Sequence, residues 1–205
     1  MKIPEKSALL LVDVQESKVP VAVYQSEEQQ KRIAYYHENI KKVVDFFREK
    51  RKDVPIVHII ELHRDDLSDF GRELDGSEHV HCLEKDSYFW EPAGPAEGEY
   101  VVPKRRYSAF FATDLELLLR GKGIEHLFIC GGMTDICVHF TAVDAHQRNY
   151  HIHVLREACH THSPEDVAEA AFENMEYFQT GAVMSVEDLE AVSYTHLRAH
   201  ETDQY

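Results

Sequence analysis

Residues 125–155 read EHLFICGGMTDICVHFTAVDAHQRNYHIHVL. Glu125–Gly131 has the apolar character and length of a buried strand. Gly131-Gly132-Met133-Thr134 turns the chain into a helix over Thr134–Asn149, and His151–Leu155 is a second strand. Strand, helix and strand at this spacing make a βαβ unit with parallel strands.

The same alternation extends outward on both sides. Ser7–Asp13 (SALLLVD) is an apolar run ending in a carboxylate, and Val54–Glu61 (VPIVHIIE) is a strand with its proline near the start, where a sheet tolerates one. Between them Ile33, Tyr36, Ile40, Val43, Val44 and Phe47 recur at helical spacing, which predicts an amphipathic helix over 27–51. Leu62–Glu99 has no sustained period, and an aperiodic stretch of that length inside a domain is a functional loop region. Tyr100–Pro103 is a short strand. Thr113 with Glu116 predicts a capping box that opens a helix stopping at Gly121 and Gly123. After the βαβ unit, Ser163 as N-cap and Pro164 at the first helical position open a helix to about Phe178. Ala182–Met184 is a last strand and Ser185 starts a short last helix. The expectation is a three-layer α/β/α domain over residues 1–192 with a mostly parallel, six-stranded, Rossmann-like sheet. Residues 193–205 lack helical periodicity and are read as a disordered or non-native tail.

The chain has 205 residues, 43% of them hydrophobic and 29% charged, which suits one soluble globular domain. Its 22 basic and 37 acidic residues leave a formal charge of −15. So acidic a surface argues against nucleic acid or an anionic membrane as partner. No apolar run approaches the roughly 18 residues of a spanning helix, and no secretory signal is visible at the N-terminus. The cysteines at 82, 130, 137 and 159 show no CxxC spacing. A reducing cytoplasm is therefore expected, where a cysteine is of interest as a thiol.

In open parallel sheets ligands bind beyond the carboxyl ends of the strands. Asp13, Lys104 and Cys137 all sit at or just past such ends. Cys137 is expected in the first turn of its helix, where the dipole and unpaired N–H groups would lower the thiol pKa and offer oxyanion donors. A thiolate needs a proton acceptor and a stabilising cation, for which Asp13 and Lys104 are the candidates. The neighbours Arg105 and Arg106 leave open that Lys104 belongs to a solvated basic run.

Three stretches, LLLVDVQ around Asp13, PKRRYSAFFATDLELLLRGKGI from Pro103 and ICGGMTDICVHFTAVDAHQRNY around Cys137, resemble the isochorismatase-like cysteine hydrolase superfamily. That group includes nicotinamidases, N-carbamoylsarcosine amidases and ureidoacrylate amidohydrolases. The resemblance implies a cysteine amidohydrolase that cleaves a C–N bond of a small amide, carbamoyl or ureido compound through a thioester. Asp13, Lys104 and Cys137 would be catalytic. A cis peptide would link Gly132 to Met133, and the N–H groups of Met133 and Cys137 would form the oxyanion hole. It also implies a homo-oligomer, a dimer or tetramer.

Nicotinamidases carry a D-x-H pair and a later histidine before cysteine that bind a divalent metal. Here Glu61-Leu62-His63 and His81-Cys82 stand in those places, so Glu61, His63 and His81 are candidate ligands for an ion such as zinc. None is required by the core chemistry, and Glu61 is one methylene longer than the family's aspartate. DVQESK also lacks the nicotinamidase continuation DVQxDF, which speaks against nicotinamide as substrate. The segment HRDDLSDFGRELDGSEHVHCLEK resembles a loop of uncharacterised hydrolases in the superfamily, with Asp69, Arg72 and Glu73 as candidate substrate contacts.

Three other readings stay open. One is isochorismatase-type hydrolysis of a vinyl ether, though such enzymes typically lack the cysteine. Another is a catalytically silent binding protein on the same fold. A redox protein using Cys137 is the third, and it would need a resolving cysteine that the sequence does not show.

Overall fold

The computed structural model describes residues 3–19, 26–70 and 82–189. Strand β1 (Ser7–Val12) is buried along its whole length and alternates between two cores. Ala8, Leu10 and Val12 point into one core, Leu9 and Leu11 into the other. A strand buried on both faces belongs at the centre of a parallel sheet, and β1 is central. The strands β3 (Ile56–Glu61), β5 (Tyr100–Lys104), β6 (His126–Gly132), β7 (His151–His160) and β8 (Val183–Met184) complete the sheet in the order β5-β3-β1-β6-β7-β8. Every pairing in it is parallel. This is the expected six-stranded architecture.

Helix α1 (Glu27–Lys50) covers one face through Tyr36, Ile40, Val43, Val44 and Phe47, joined by Val186 and Leu189 from the helical residues 186–189. Helices α2 (Leu115–Gly121), α3 (His139–Gln147) and α4 (Glu165–Phe178) cover the other face through Leu115, Leu119, Ala142, Ala145, Phe172 and Met175. The Ser26 hydroxyl caps α1 by accepting from Gln29 N–H at 3.2 Å.

Four local features depart from the sequence reading. The aperiodic region contains a two-stranded antiparallel ribbon, β2 (Gln15–Ser17) with β4 (Ser87–Phe89). Strand β7 continues past Leu155 to His160, because its pairing with β6 shifts register between Ile129 and Gly131 and admits the polar residues Arg156 and Glu157. The capping box at Thr113 does not close. Thr113 Oγ1 accepts from Leu115 N–H, but Glu116 turns outward to the Arg148 guanidinium at 3.0 Å. Helix α4 begins at Glu165, which places Pro164 at the cap position and Ser163 one residue outside.

The connections leave β1 and β6 in opposite directions, β1 towards β3 and β6 towards β7. A crevice therefore opens between their carboxyl ends, the place where this class of sheet binds ligands. Two backbone devices shape it. Gly131 has φ +129°, and a Cβ there would lie 1.9 Å from Val12 O, so only glycine lets β1 and β6 close up. Asp13 adopts the left-handed conformation at φ 52°, which carries its side chain out of the strand's alternation.

Candidate active site

The chain brings Asp13, Lys104 and Cys137 together at this crevice. Lys104, the last residue of β5, has a side chain with no exposure to solvent. Its Nζ lies 2.8 Å from Asp13 Oδ2 and 3.5 Å from Cys137 Sγ. It is not part of a solvated run. Arg105 turns away to Leu62 O and Glu84, and Arg106 to Asp69 O, so these neighbours brace the following loop.

A buried ammonium needs counter-charge. Asp13 supplies one carboxylate and Glu61, at the end of β3, supplies a second through Oε2. Burial alone would push the Lys104 ammonium down, but Asp13, Cys137 and Glu61 outweigh it and hold the group well above the ordinary lysine range. Donor atoms of Asp13, Glu61 and Cys137 lie within 4.8 Å of one another, with the lysine's own ammonium in contact with all three. Glu61 is fixed from behind by Gln15, whose amide accepts from Glu61 N–H at 2.8 Å and donates to Glu61 O at 3.0 Å.

Cys137 differs from its expected setting. It lies in a π turn, Thr134–Val138, that ends before α3 begins, and Val138 N–H donates to Met133 O at 3.0 Å. Burial pushes the thiol well above the ordinary range against the pull of Lys104, so the resting group is a thiol. Desolvation wins over the helix end because the sulfur is enclosed by the core and precedes the helix. Asp13 moves the complementary way. Burial raises it to about 6, with Lys104 drawing it down and Glu61 pushing it up. At neutral pH it is a carboxylate beside a thiol.

The turn carries the expected cis peptide between Gly132 and Met133. Asp135, also in the turn, accepts hydrogen bonds from the Thr161 hydroxyl at 2.5 Å and the Ser163 hydroxyl at 2.7 Å. These bonds tie the turn to the exit of β7.

Of the candidate metal ligands, Glu61 Oε1 and His63 Nε2 stand 3.2 Å apart. That is the spacing of neighbouring ligands on one ion with bonds of about 2.0–2.2 Å, so this pair fits a divalent metal. His81 lies outside the described residues, as do Arg72 and Glu73 among the candidate substrate contacts. Asp69 is described and faces inward, with Oδ1 3.6 Å from His63 Nδ1 and Oδ2 3.3 Å from Arg105 Nε.

Sequence reasoning missed the second carboxylate on Lys104 and the brace from Gln15. It also missed His37, which stacks on Trp90 at 4.1 Å. Glu61 was visible as an oddity, a glutamate where the metal motif has aspartate. It ion-pairs with Lys104 through Oε2.

A family model described as the isochorismatase domain matches residues 7–188. The ureidoacrylate amidohydrolase RutB of Enterobacter sp. (strain 638) is 44% identical over 100 residues, which is 48% of this chain and 43% of that protein. The chain thus spans about two fifths of the length of the curated relatives it matches, 41% and 43% for two of them. Among solved structures, an isochorismatase-like hydrolase from Alkaliphilus metalliredigens is 27% identical with a TM-score of 0.72, covering 90% of this chain and 96% of that one. A pyrazinamidase of Pyrococcus horikoshii in complex with zinc is also 27% identical, with a TM-score of 0.65 over 88% of this chain and 98% of that one.

Proposed function

The chain belongs to the isochorismatase family, and from that premise we propose that it hydrolyses a C–N bond of a small ureido or carbamoyl compound, with Cys137 as nucleophile. The observation that carries this is the arrangement around Lys104: an ammonium 2.8 Å from Asp13 and 3.5 Å from the Cys137 sulfur, wholly out of solvent. The relatives named ureidoacrylate amidohydrolase support the ureido class.

In this reading the Asp13 carboxylate takes the Cys137 proton as the sulfur attacks the substrate carbonyl carbon. Lys104 stabilises the negative charge as it passes between sulfur and carboxylate, so a thiol that burial keeps protonated at rest ionises only when an electrophile is in place. The N–H groups of Met133 and Cys137 are the proposed donors to the oxyanion. Collapse breaks the C–N bond, and the proton held by Asp13 goes to the departing nitrogen, releasing ammonia or an amine. Water then gives a proton to Asp13 and attacks the thioester, restoring the thiol.

Glu61 and His63, with His81, are the residues that would hold a divalent metal. Such an ion, when bound, supplies a Lewis acid for a heteroatom of the substrate. The steps above use only the chain's own groups. Asp69, Arg72 and Glu73 remain proposed substrate contacts. A cytoplasmic setting and a homo-oligomer are part of the same proposal; among the described residues no helix is long and apolar enough to cross a membrane.

The test is ammonia release from a panel of ureides, carbamoyl compounds and simple amides, with wild type beside Cys137→Ala and each with and without a chelator. Turnover that disappears in Cys137→Ala supports the reading, and chelator sensitivity reports the metal. No turnover together with no stoichiometric alkylation of Cys137 by iodoacetamide would sink it.

A further inference from the structure

Asp135 lies in the chain between Met133 and Cys137, the two proposed oxyanion donors, and the proposed steps give it no role. Its carboxylate accepts the Thr161 hydroxyl at Oδ1 and the Ser163 hydroxyl at Oδ2, 2.5 and 2.7 Å away. Both donors come from a distant part of the chain, where β7 has ended at His160 and α4 is about to begin. Thr161 is buried, and its Oγ1 accepts from Ser163 N–H at 3.1 Å. The carboxylate, the two hydroxyls and this N–H thus form one closed network. Hydrogen bonds to a charged acceptor are the strong kind, so the network is stiff.

It stands where backbone pairing stops. Strands β6 and β7 pair as far as Gly132 with His160, so Met133 would face Thr161 if the ladder continued. Instead the chain leaves the sheet for the π turn, in which Ile136 N–H and Val138 N–H both donate to Met133 O, at 3.1 and 3.0 Å. Such turns recur at functional sites because the wider loop re-aims its backbone groups. Thr134, Cys137 and Val138 are buried beneath the turn. Across its open side, the Asp135 carboxylate makes to Thr161 and Ser163 the link that the ladder no longer supplies. The continuation of β7 past its bulge is what carries Thr161 to this point.

We propose that Asp135 is a positioning residue: held by Thr161 and Ser163, it fixes the turn whose Met133 and Cys137 N–H groups receive the developing oxyanion. This rests on the hydrolase reading of the same crevice. The contribution belongs to the transition state, where the carbonyl oxygen gains charge and its donors must already be in place. The sulfur itself owes the network little, because Lys104 reaches it from β5, outside the network.

The experiment compares two reactions of the same sulfur in wild type, Asp135→Ala and Thr161→Val. Hydrolysis of a ureide builds an oxyanion. Alkylation by iodoacetamide forms a C–S bond, expels iodide and builds none. In both variants kcat should fall by about a hundredfold, the cost of misplacing a reacting group by about 1 Å, with KM and the alkylation rate of Cys137 little changed. Thr161→Ser keeps the hydroxyl and should restore most of the turnover. Unchanged kcat, a loss carried by KM, or equal losses in turnover and alkylation would overturn the assignment and leave Cys137 as nucleophile. If Asp135→Ala does not fold, Thr161→Val, which keeps the shape of the buried side chain, carries the test. If wild type turns over no ureide, the probe is propanal, which adds reversibly to the thiol: the C–S bond forms, the carbonyl π pair goes to oxygen and the thiol proton follows. Its protection of Cys137 against iodoacetamide then reads the oxygen site. Protection about tenfold weaker in Thr161→Val, the worth of one hydrogen bond, supports the assignment. Equal protection, or none in wild type, overturns it, and a wild-type Cys137 that resists iodoacetamide overturns the hydrolase reading as well.

Discussion

A carboxyl group that burial pushes up to about 6 is largely ionised at neutral pH and half protonated one unit below it, and Asp13 is such a group. Its proposed task requires the ionised form, so activity should fall as pH drops through 6, with one proton on the acid limb. The check is kcat/KM against pH on any ureide that turns over. A midpoint near 4, the ordinary carboxylate value, would contradict the environment described here. Asp13→Asn should cost on the order of 10² to 10⁴ in kcat, the range of a lost general base. At this scale the sequence was most legible. Asp13, Lys104 and Cys137 sit at strand ends that hydrophobic runs mark plainly, and topology brings strand ends together. Which way a long side chain leans is another matter. Nothing in the letters distinguishes Glu61 bent onto Lys104 from Glu61 turned wholly to a metal, and the sign of the Cys137 shift depended on how deeply the core closes over the sulfur.

Elements are stabilised here by contacts that fix one strand against the next. Gly131→Ala places a methyl group 1.9 Å from Val12 O in a conformation that side chains avoid. Backbone on both sides cannot yield, so β1 and β6 would have to part at the crevice. The expected loss is more than about 3 kcal/mol or outright insolubility, read by urea unfolding. At the amino ends of β6 and β7, His126, His151 and His153 lie in stacked pairs, and His153 also packs on Phe128 at 4.7 Å. Burial, with His126 and His151 adding to it, lowers His153 to about 4. The unfolded chain therefore binds this proton first, and stability is lost as pH falls from about 6.5 towards 4. His153→Phe should remove that limb, worth on the order of 2–3 kcal/mol, in melting curves taken at pH 7.5, 6 and 5. An equal acid loss in the variant would assign it elsewhere. Helices α1 and α4 were readable because many turns repeat one pattern. The β2–β4 ribbon was not, since three-residue strands have no period to detect. The end of β7 was hidden because a bulge lets polar residues continue a strand that periodicity says has stopped.

Over the whole molecule the formal charge of −15 repels an anionic ureide and leaves a neutral one untouched. How strongly that repulsion is felt is a question of distance. A domain of this length has a radius of gyration of about 17 Å, so most of its 37 acidic residues stand farther from the crevice than the Debye length of about 8 Å at physiological ionic strength. At 0.01 M that length is about 30 Å and the whole acidic surface is felt. Raising salt from 0.01 to 0.15 M should therefore relieve the repulsion. We expect kcat/KM for 3-ureidopropionate to rise by about two- to threefold, while that for n-propylurea stays flat. A fall with salt in wild type would mean that positive charge at the crevice steers the substrate from a distance, and the acidic surface would then have no part in how the substrate is met.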